Sequence, residues 1–250
     1  MQKINFDQLD GLIWDMDGVL IDVSKSYRLC ILKTVQYFCP DKTVTELDVL
    51  AIKQVVGLNN DWDASYALIL KKQNSKFDIP EFISNLEKYR KDKLYQNIVA
   101  VFQSYYLGSS LYQKCYSKKA PVKKIESLIN TEKLLIPKSV LDNLKKKYKK
   151  MGIATGRPKF EAIYALKNNN ILDLFNTVIA MEDYKNGKPE PEPLLMVSEK
   201  LALKNTIYIG DSSSDVEAAK RAQMPCIYIG EKKLGNIQII NIETLWELLL

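Results

Sequence analysis

Residues 12–22 read LIWDMDGVLID, an apolar run that drives into two carboxylates, Asp15 and Asp17, set one residue apart and followed by Gly18. Asp is common where strands give way to turns, because its side chain bonds nearby backbone amides and tolerates unusual dihedrals. The pair therefore reads either as a turn or as the start of a site. One absence narrows the chemistry available to a site: the chain contains no histidine. Serine-histidine triads, histidine metal centres and imidazole acid/base catalysis are excluded. Any hydrolytic activity falls to carboxylates, hydroxyls and lysines.

Such groups need a frame. Short, continuously apolar runs end on polar residues or glycine: Leu12-Ile13-Trp14 before Asp15, Gly152-Ile153-Ala154 before Thr155, Val178 to Met181 before Glu182, Ile207-Tyr208-Ile209 before Gly210-Asp211, and Cys226 to Ile229 before Gly230. Continuous rather than alternating hydrophobicity marks strands buried on both faces. Helical segments lie between them, one opening at Pro158 and closing in Asn168-Asn169-Asn170, another from Asp215 to Ala222. The alternation from Gly152 onward predicts an α/β, doubly wound fold with a mainly parallel sheet. Ligands bind such folds outside the carboxyl ends of the strands, and Asp15, Thr155 and Asp211 all fall at that edge.

The interval from Asp17 to Thr155 is several times longer than those from Thr155 to Lys188 and from Lys188 to Asp211. A single crossover needs far less chain, so the first interval is expected to hold an inserted domain. That insert reads helical. Ser24 is a candidate cap for a helix through Phe38, Thr45 for one stopping at Gly57, and Asn60 or Asp61 for one starting near Trp62; Ile79-Pro80-Glu81 opens a long segment ending at Gly108.

The chain has 250 residues, 46% of them hydrophobic, ample for a packed interior. No basic segment followed by an apolar stretch opens the sequence, and the longest apolar runs fall short of the ~20 residues a membrane helix requires. A cytoplasmic protein with no membrane partner is expected. Cys30, Cys39, Cys115 and Cys226 are widely spaced, which argues against a zinc site or a redox pair. The formal charge is +6, with lysines clustered at 145–150. They end a helical segment, where cations favour the negative end of the dipole, so the cluster reads as a solvated face rather than a nucleic-acid site.

Four segments, D-M-D-G at 15–18, A-T-G-R at 154–157, G-K-P-E-P at 187–191 and G-D-S-S-S-D at 210–215, stand in the order and on the elements of a known family. The chain resembles the haloacid dehalogenase-like superfamily, specifically its magnesium-dependent phosphatases. The resemblance implies a Rossmann-like core at 1–21 and 119–250 with a helical cap domain at 22–118; residues 120–137 fit either part. It implies Mg2+ as cofactor and a small phosphorylated metabolite as substrate. Asp15 becomes the nucleophile, already ionised at neutral pH. Asp17 becomes the general acid/base, its carbonyl serving the metal. Thr155 and Gly156, with Arg157 beside them, face the phosphate at a helix N-terminus. Lys188 neutralises the transferring group. Asp15, Asp17 and Asp211 make the metal site, with Asp215 at its edge, orienting a water or Lys188.

Phosphosugar mutases share these motifs, and a non-catalytic binding protein is the alternative of another class. Substrate choice is expected in the cap around residues 57–62, where Asn59 and Asn60 could read hydroxyls or an amine.

Overall fold

The computed structural model describes residues 4–231 and 234–250. Along the chain the strands are β1 (Gly11–Trp14), β2 (Ile21–Asp22), β3 (Lys133–Leu134), β4 (Lys150–Ala154), β5 (Thr177–Ile179), β6 (Thr206–Gly210), β7 (Cys226–Ile229) and β8 (Ile237–Ile239). The helices are α1 (Tyr27–Phe38), α2 (Glu46–Lys53), α3 (Asp61–Gln73), α4 (Ile79–Ser84), α5 (Leu86–Tyr89), α6 (Lys93–Tyr116), α7 (Lys138–Lys147), α8 (Lys159–Asn168), α9 (Glu192–Lys200), α10 (Ser213–Arg221) and α11 (Glu243–Leu249). They sort into two compact units. One comprises the residues through Val23 and Lys133–Leu250, the other Ser24–Glu132.

The first unit is an α/β core. Its sheet has six strands in the order β5-β4-β1-β6-β7-β8, all pairings parallel. Strand β1 lies between β4 and β6, with Trp14 level with Ile153 and Ile209. The chain builds outward on one side of β1 and then on the other, so the switch point of the topology lies at the end of β1. Leu12, Ile13 and Trp14 are fully buried. A buried side chain of this size contributes about 2 kcal/mol, so the residue after Trp14 stands on a rigid support. One face of the sheet packs Ile13, Ala154, Ile179 and Tyr208 against Leu194 and Val197 of α9 and Ala218 and Ala219 of α10. A short antiparallel ribbon pairs Ile21 with Leu134 and Asp22 with Lys133. The sequence pattern missed this ribbon and β8, because strands of two or three residues carry too few alternations to read.

Within the second unit, α1 packs against α2, α3 and α6. Thr45 caps α2 in a reciprocal box with Asp48, and Asn60 caps α3 by accepting from the amides of Trp62 and Asp63. Three expectations need correction. Ser24 does not start α1, which begins at Tyr27; Ser26, at its N-cap position, spends its hydroxyl on Glu132 at 2.7 Å. Helix α2 stops at Lys53 rather than Gly57. Its last side chain turns outward, with the Lys53 ammonium bonding Asn59 O at 2.6 Å and pairing with Asp61 at 2.8 Å to close the loop. The segment from Ile79 breaks into α4, α5 and α6; α6 is interrupted at Gly108, where the sequence places its end, and a second helical stretch follows to Tyr116. At Gly108 φ is +66°, and a Cβ would lie 2.9 Å from Ile125 O and Ser127 N, so the backbone of 125–127 needs a glycine beside it.

Residues 120–132, which by sequence fit either part, cluster with this helical unit. The Ser127 hydroxyl donates to Leu107 O at 2.6 Å, and the buried Glu132 carboxylate accepts from Tyr106 at 3.0 Å as well as from Ser26. Asp63, 1% exposed, is satisfied by Arg90 at 2.7 and 3.2 Å and by the Tyr95 hydroxyl at 2.8 Å. Among the described residues, no helix is long and apolar enough to cross a membrane. In the lysine cluster, Lys145 binds Lys149 O and Asn176, and Lys147 pairs with Asp7.

Candidate active site

The carboxyl ends of β1, β4 and β6 bring together residues far apart in sequence. Asp15 follows β1, its amide donating to Ile209 O at 2.8 Å. The chain then turns tightly, with the Gly18 amide donating to Ile21 O at 2.9 Å and Gly18 at φ +73°. A Cβ on Gly18 would fall 1.9 Å from Asp211 Oδ2, so the glycine after the paired aspartates is what lets the Asp211 carboxylate approach β1. Gly210 plays the matching part for α10, since a Cβ there would meet Asp215 Cβ at 2.5 Å.

Lys188, reaching in from the loop before α9, is the centre of the charge arrangement. Its Nζ lies 2.7 Å from Asp15 Oδ1, 2.6 Å from Asp215 Oδ1 and 3.0 Å from the Tyr208 hydroxyl. Carboxylate oxygens of Asp15, Asp211 and Asp215 lie within 4.8 Å of one another. Burial, and then the charge of Asp215, push Asp15 well above the usual carboxylate range, with Lys188 only partly opposing. Burial and Asp215 likewise raise Asp211 to about 7. Burial acts on Asp215 in the same direction, but Lys188, Ser212 and Tyr208 outweigh it and hold this carboxyl low. Lys188 is raised, because Asp15 and Asp215 overcome its own burial.

Three clustered carboxylates around one ammonium leave excess negative charge, and a divalent cation with oxygen ligands fits such a donor set. Asp15 and Asp211 have oxygens to offer it. Asp215 does not: Oδ1 accepts from Lys188 and Tyr208, and Oδ2 accepts from Ser212 N at 3.0 Å and Ser212 Oγ at 2.5 Å. A carboxylate has about four acceptor positions, and all are used. Asp215, expected at the edge of the metal site orienting a water or Lys188, bonds Lys188 and closes the capping box of α10.

The remaining expected residues fall at the same edge with one change of partner. Thr155 is buried, its amide donating to Ile179 O at 3.0 Å and its Oγ1 accepting from Arg157 N at 3.1 Å. Gly156 is exposed, and a Cβ there would meet nothing within 4 Å. Arg157, expected to bind substrate, is 2% exposed and directs Nε and Nη2 at Asp17 Oδ1, 2.6 and 2.5 Å away. The hydrogen bond from Nε and the ion-pair contact from Nη2 go to one oxygen of Asp17. Asn59 and Asn60 lie in the helical unit; Asn59 is exposed, and Asn60 Oδ1 is committed to the α3 cap. Two tyrosines escaped the sequence reading. Tyr208 is fully buried beneath Lys188, and the Tyr184 hydroxyl donates to Thr155 O at 3.1 Å. Tyr208 stands two residues before Gly210, on the same side of a strand with period two, which is the signal that could have found it.

The raised carboxyls set a pH dependence. When a folded-state pKa exceeds the unfolded one, the folded form binds the proton more tightly. That stability is fully present below the ordinary carboxylate value of 3.8 and is lost as pH rises through the folded value, about 7 for Asp211. Asp215, held low, acts in the opposite sense only below the ordinary range. Without divalent cations, the thermal midpoint is expected to fall from about pH 5 to about pH 8, and excess Mg2+ should flatten the fall. A metal-free midpoint that climbs across that interval would contradict the charge arrangement.

A family model described as haloacid dehalogenase-like hydrolase matches residues 109–229, a span that includes Thr155, Lys188, Asp211 and Asp215 but not Asp15 and Asp17. The chain is 30% identical over 217 residues to imidazoleglycerol-phosphate dehydratase of Phytophthora nicotianae; the match takes in 86% of this chain and 42% of that protein, so the chain spans less than half of that relative. It is 24% identical over 226 residues to phosphoglycolate phosphatase of Escherichia coli (strain K12), covering 89% of this chain and 81% of that one. The fold is shared with phosphatase Tt82 from Thermococcus thioreducens, at a TM-score of 0.68 and 22% identity over 94% of this chain and 98% of that one.

Proposed function

We propose that the chain, whose residues 109–229 match the haloacid dehalogenase-like hydrolase family, is a Mg2+-dependent phosphatase that hydrolyses a small phosphorylated metabolite through an aspartyl-phosphate. The observation that carries this reading is the convergence of Asp15, Lys188 and Asp211 at the carboxyl edge of the sheet, where a carboxylate nucleophile, a phosphate-neutralising cation and a metal-binding carboxylate lie together.

Asp15 and Asp211, with the carbonyl of Asp17, would hold the metal. Bound Mg2+ would mask the repulsion between an attacking carboxylate and a phosphate dianion. Asp15 forms a bond to phosphorus as the ester P–O bond breaks, and Asp17 delivers a proton to the leaving oxygen. Arg157 meets Asp17 at Oδ1, and Oδ2 is the oxygen that would carry that proton. Asp17 then takes a proton from the water that cleaves the acyl phosphate. The exposed Gly156 amide and the Thr155 hydroxyl, ahead of α8, receive phosphoryl oxygens.

The test is phosphate release from a panel of phosphorylated metabolites with Mg2+ and with excess EDTA. Release that needs the metal is expected; undiminished turnover in EDTA would overturn the metal-bridged reading. A phosphoryl group returned to a sugar bisphosphate with little net release would mark phosphomutase chemistry instead. Selection among esters is assigned to the helical unit, at Asn59, whose side chain is exposed on the loop before α3. Asn59→Ala is expected to impair the best metabolite substrate more than p-nitrophenyl phosphate, and equal losses on both would remove this loop from recognition.

A further inference from the structure

Lys188 carries three N–H donors, and three acceptors meet it: Asp15 Oδ1 at 2.7 Å, Asp215 Oδ1 at 2.6 Å and the Tyr208 hydroxyl at 3.0 Å. The Tyr208 hydroxyl donates a hydrogen bond to Asp215 Oδ1 at 2.8 Å, which closes a ring of ammonium, phenol and carboxylate. Both non-lysine members of the ring are fixed to the frame. Tyr208 is fully buried in β6 and packs with Ile13, Leu194 and Ala218, while Asp215 is tied through its other oxygen to Ser212.

We propose that Tyr208 is a positioning residue of the site: together with Asp215 it takes two of the three N–H groups of Lys188 and so aims the third at Asp15, where the phosphoryl group is transferred. The inference rests on the phosphatase reading above. A lysine stem is flexible and its ammonium is a point charge with three rotatable donors. Asp215 alone would leave it free to swing between two carboxylates. A second anchor removes that freedom, and a tyrosine suits the place because its ring is rigid and its hydroxyl accepts without adding negative charge to three clustered aspartates. No neutral group other than Tyr208 bonds Lys188 Nζ among the described residues.

The experiment is Tyr208→Phe, which keeps the ring and removes the acceptor. The expected result is a fall in kcat of about tenfold, KM within about twofold of the parent, and an unchanged circular dichroism spectrum, since the loss is one of aim rather than of binding. In a Lys188→Met background, the same substitution is expected to cost nothing further. A folded Tyr208→Phe protein with parental kcat overturns the proposal, as does a loss of equal size in both backgrounds. Should Tyr208→Phe fail to fold, 3-fluorotyrosine at position 208 keeps the shape and weakens the acceptor; a lowered kcat at unchanged Tm then supports the proposal, and an unchanged kcat overturns it. If the parent protein releases phosphate from no ester, the phosphatase reading has failed on its own. The anchoring is then read from the metal-free thermal midpoint, lowered by Tyr208→Phe in the parent but not in the Lys188→Met background if it holds, and lowered equally in both if it does not.

Discussion

Asp15→Asn is expected to abolish phosphate release, lowering kcat by about 10⁴-fold or more, while the protein stays folded. The amide oxygen of asparagine can still accept from Lys188, so the contact that ties Asp15 to the loop before α9 has a substitute. The substitution also deletes a desolvated charge beside Asp215 and Asp211, which act with burial to raise the Asp15 carboxyl. The metal-free thermal midpoint should therefore not fall. Loss of activity without loss of stability separates a nucleophile from a structural carboxylate. Asp17→Asn, by contrast, should slow both formation and hydrolysis of the intermediate, because leaving-group protonation and water activation share that side chain. Mass spectrometry after rapid quench should find the phosphoryl group of the parent protein on Asp15; phosphate on a serine of 212–214 would refute the assignment.

Lys188→Met should cost both activity and stability. Its ammonium, with 11% of the side chain exposed, bonds Asp15 and Asp215, which are 9% and 0% exposed. Removing one partner of a buried ion pair leaves uncompensated charge behind, at a cost of about 3 kcal/mol. Asp215 keeps Tyr208 and Ser212, so the burden falls mainly on Asp15. Activity should fall by about 10³-fold, since the cation that meets the transferring group is gone. Part of the lost stability should return with Mg2+, because a divalent cation compensates the same carboxylates. Urea unfolding with and without Mg2+ measures this, and a metal-free Lys188→Met protein as stable as the parent would remove Lys188 from its place among the aspartates.

How far these residues could be read without coordinates differs from one to the next. Asp15, Thr155 and Asp211 were legible because each follows a continuous apolar run, and such runs form buried parallel strands whose carboxyl ends face one edge. Thr45 and Asn60 were legible as caps because a cap is a local contact within three residues. Gly108 was legible as the end of a helix, but not the second helical stretch that follows it or the reason a glycine is required there. The backbone of 125–127 that demands a glycine there lies outside any local window.

Side-chain partners show the same division more sharply. Arg157 stands beside Thr155 and Gly156 and read as a substrate ligand, yet its guanidinium bonds Asp17, far away along the chain. Asp215 read as orienting a water or Lys188, and it bonds Lys188 together with Tyr208 and Ser212, two partners the sequence did not point to. Tyr208 read only as part of an apolar strand.

The amino-acid sequence by itself determined the chemistry on hand: no histidine, carboxylates at strand ends, a lysine in a short loop, and glycines where a turn must be tight. These follow from residue type and near-neighbour spacing, which act locally. Only the tertiary structure decided how the charges are shared. The strand order places β1 between β4 and β6, and that adjacency carries Asp15, Lys188 and Asp215 into one buried cluster. Within it, a carboxylate's role depends on which donors reach its oxygens, and those donors come from elements separated by most of the chain.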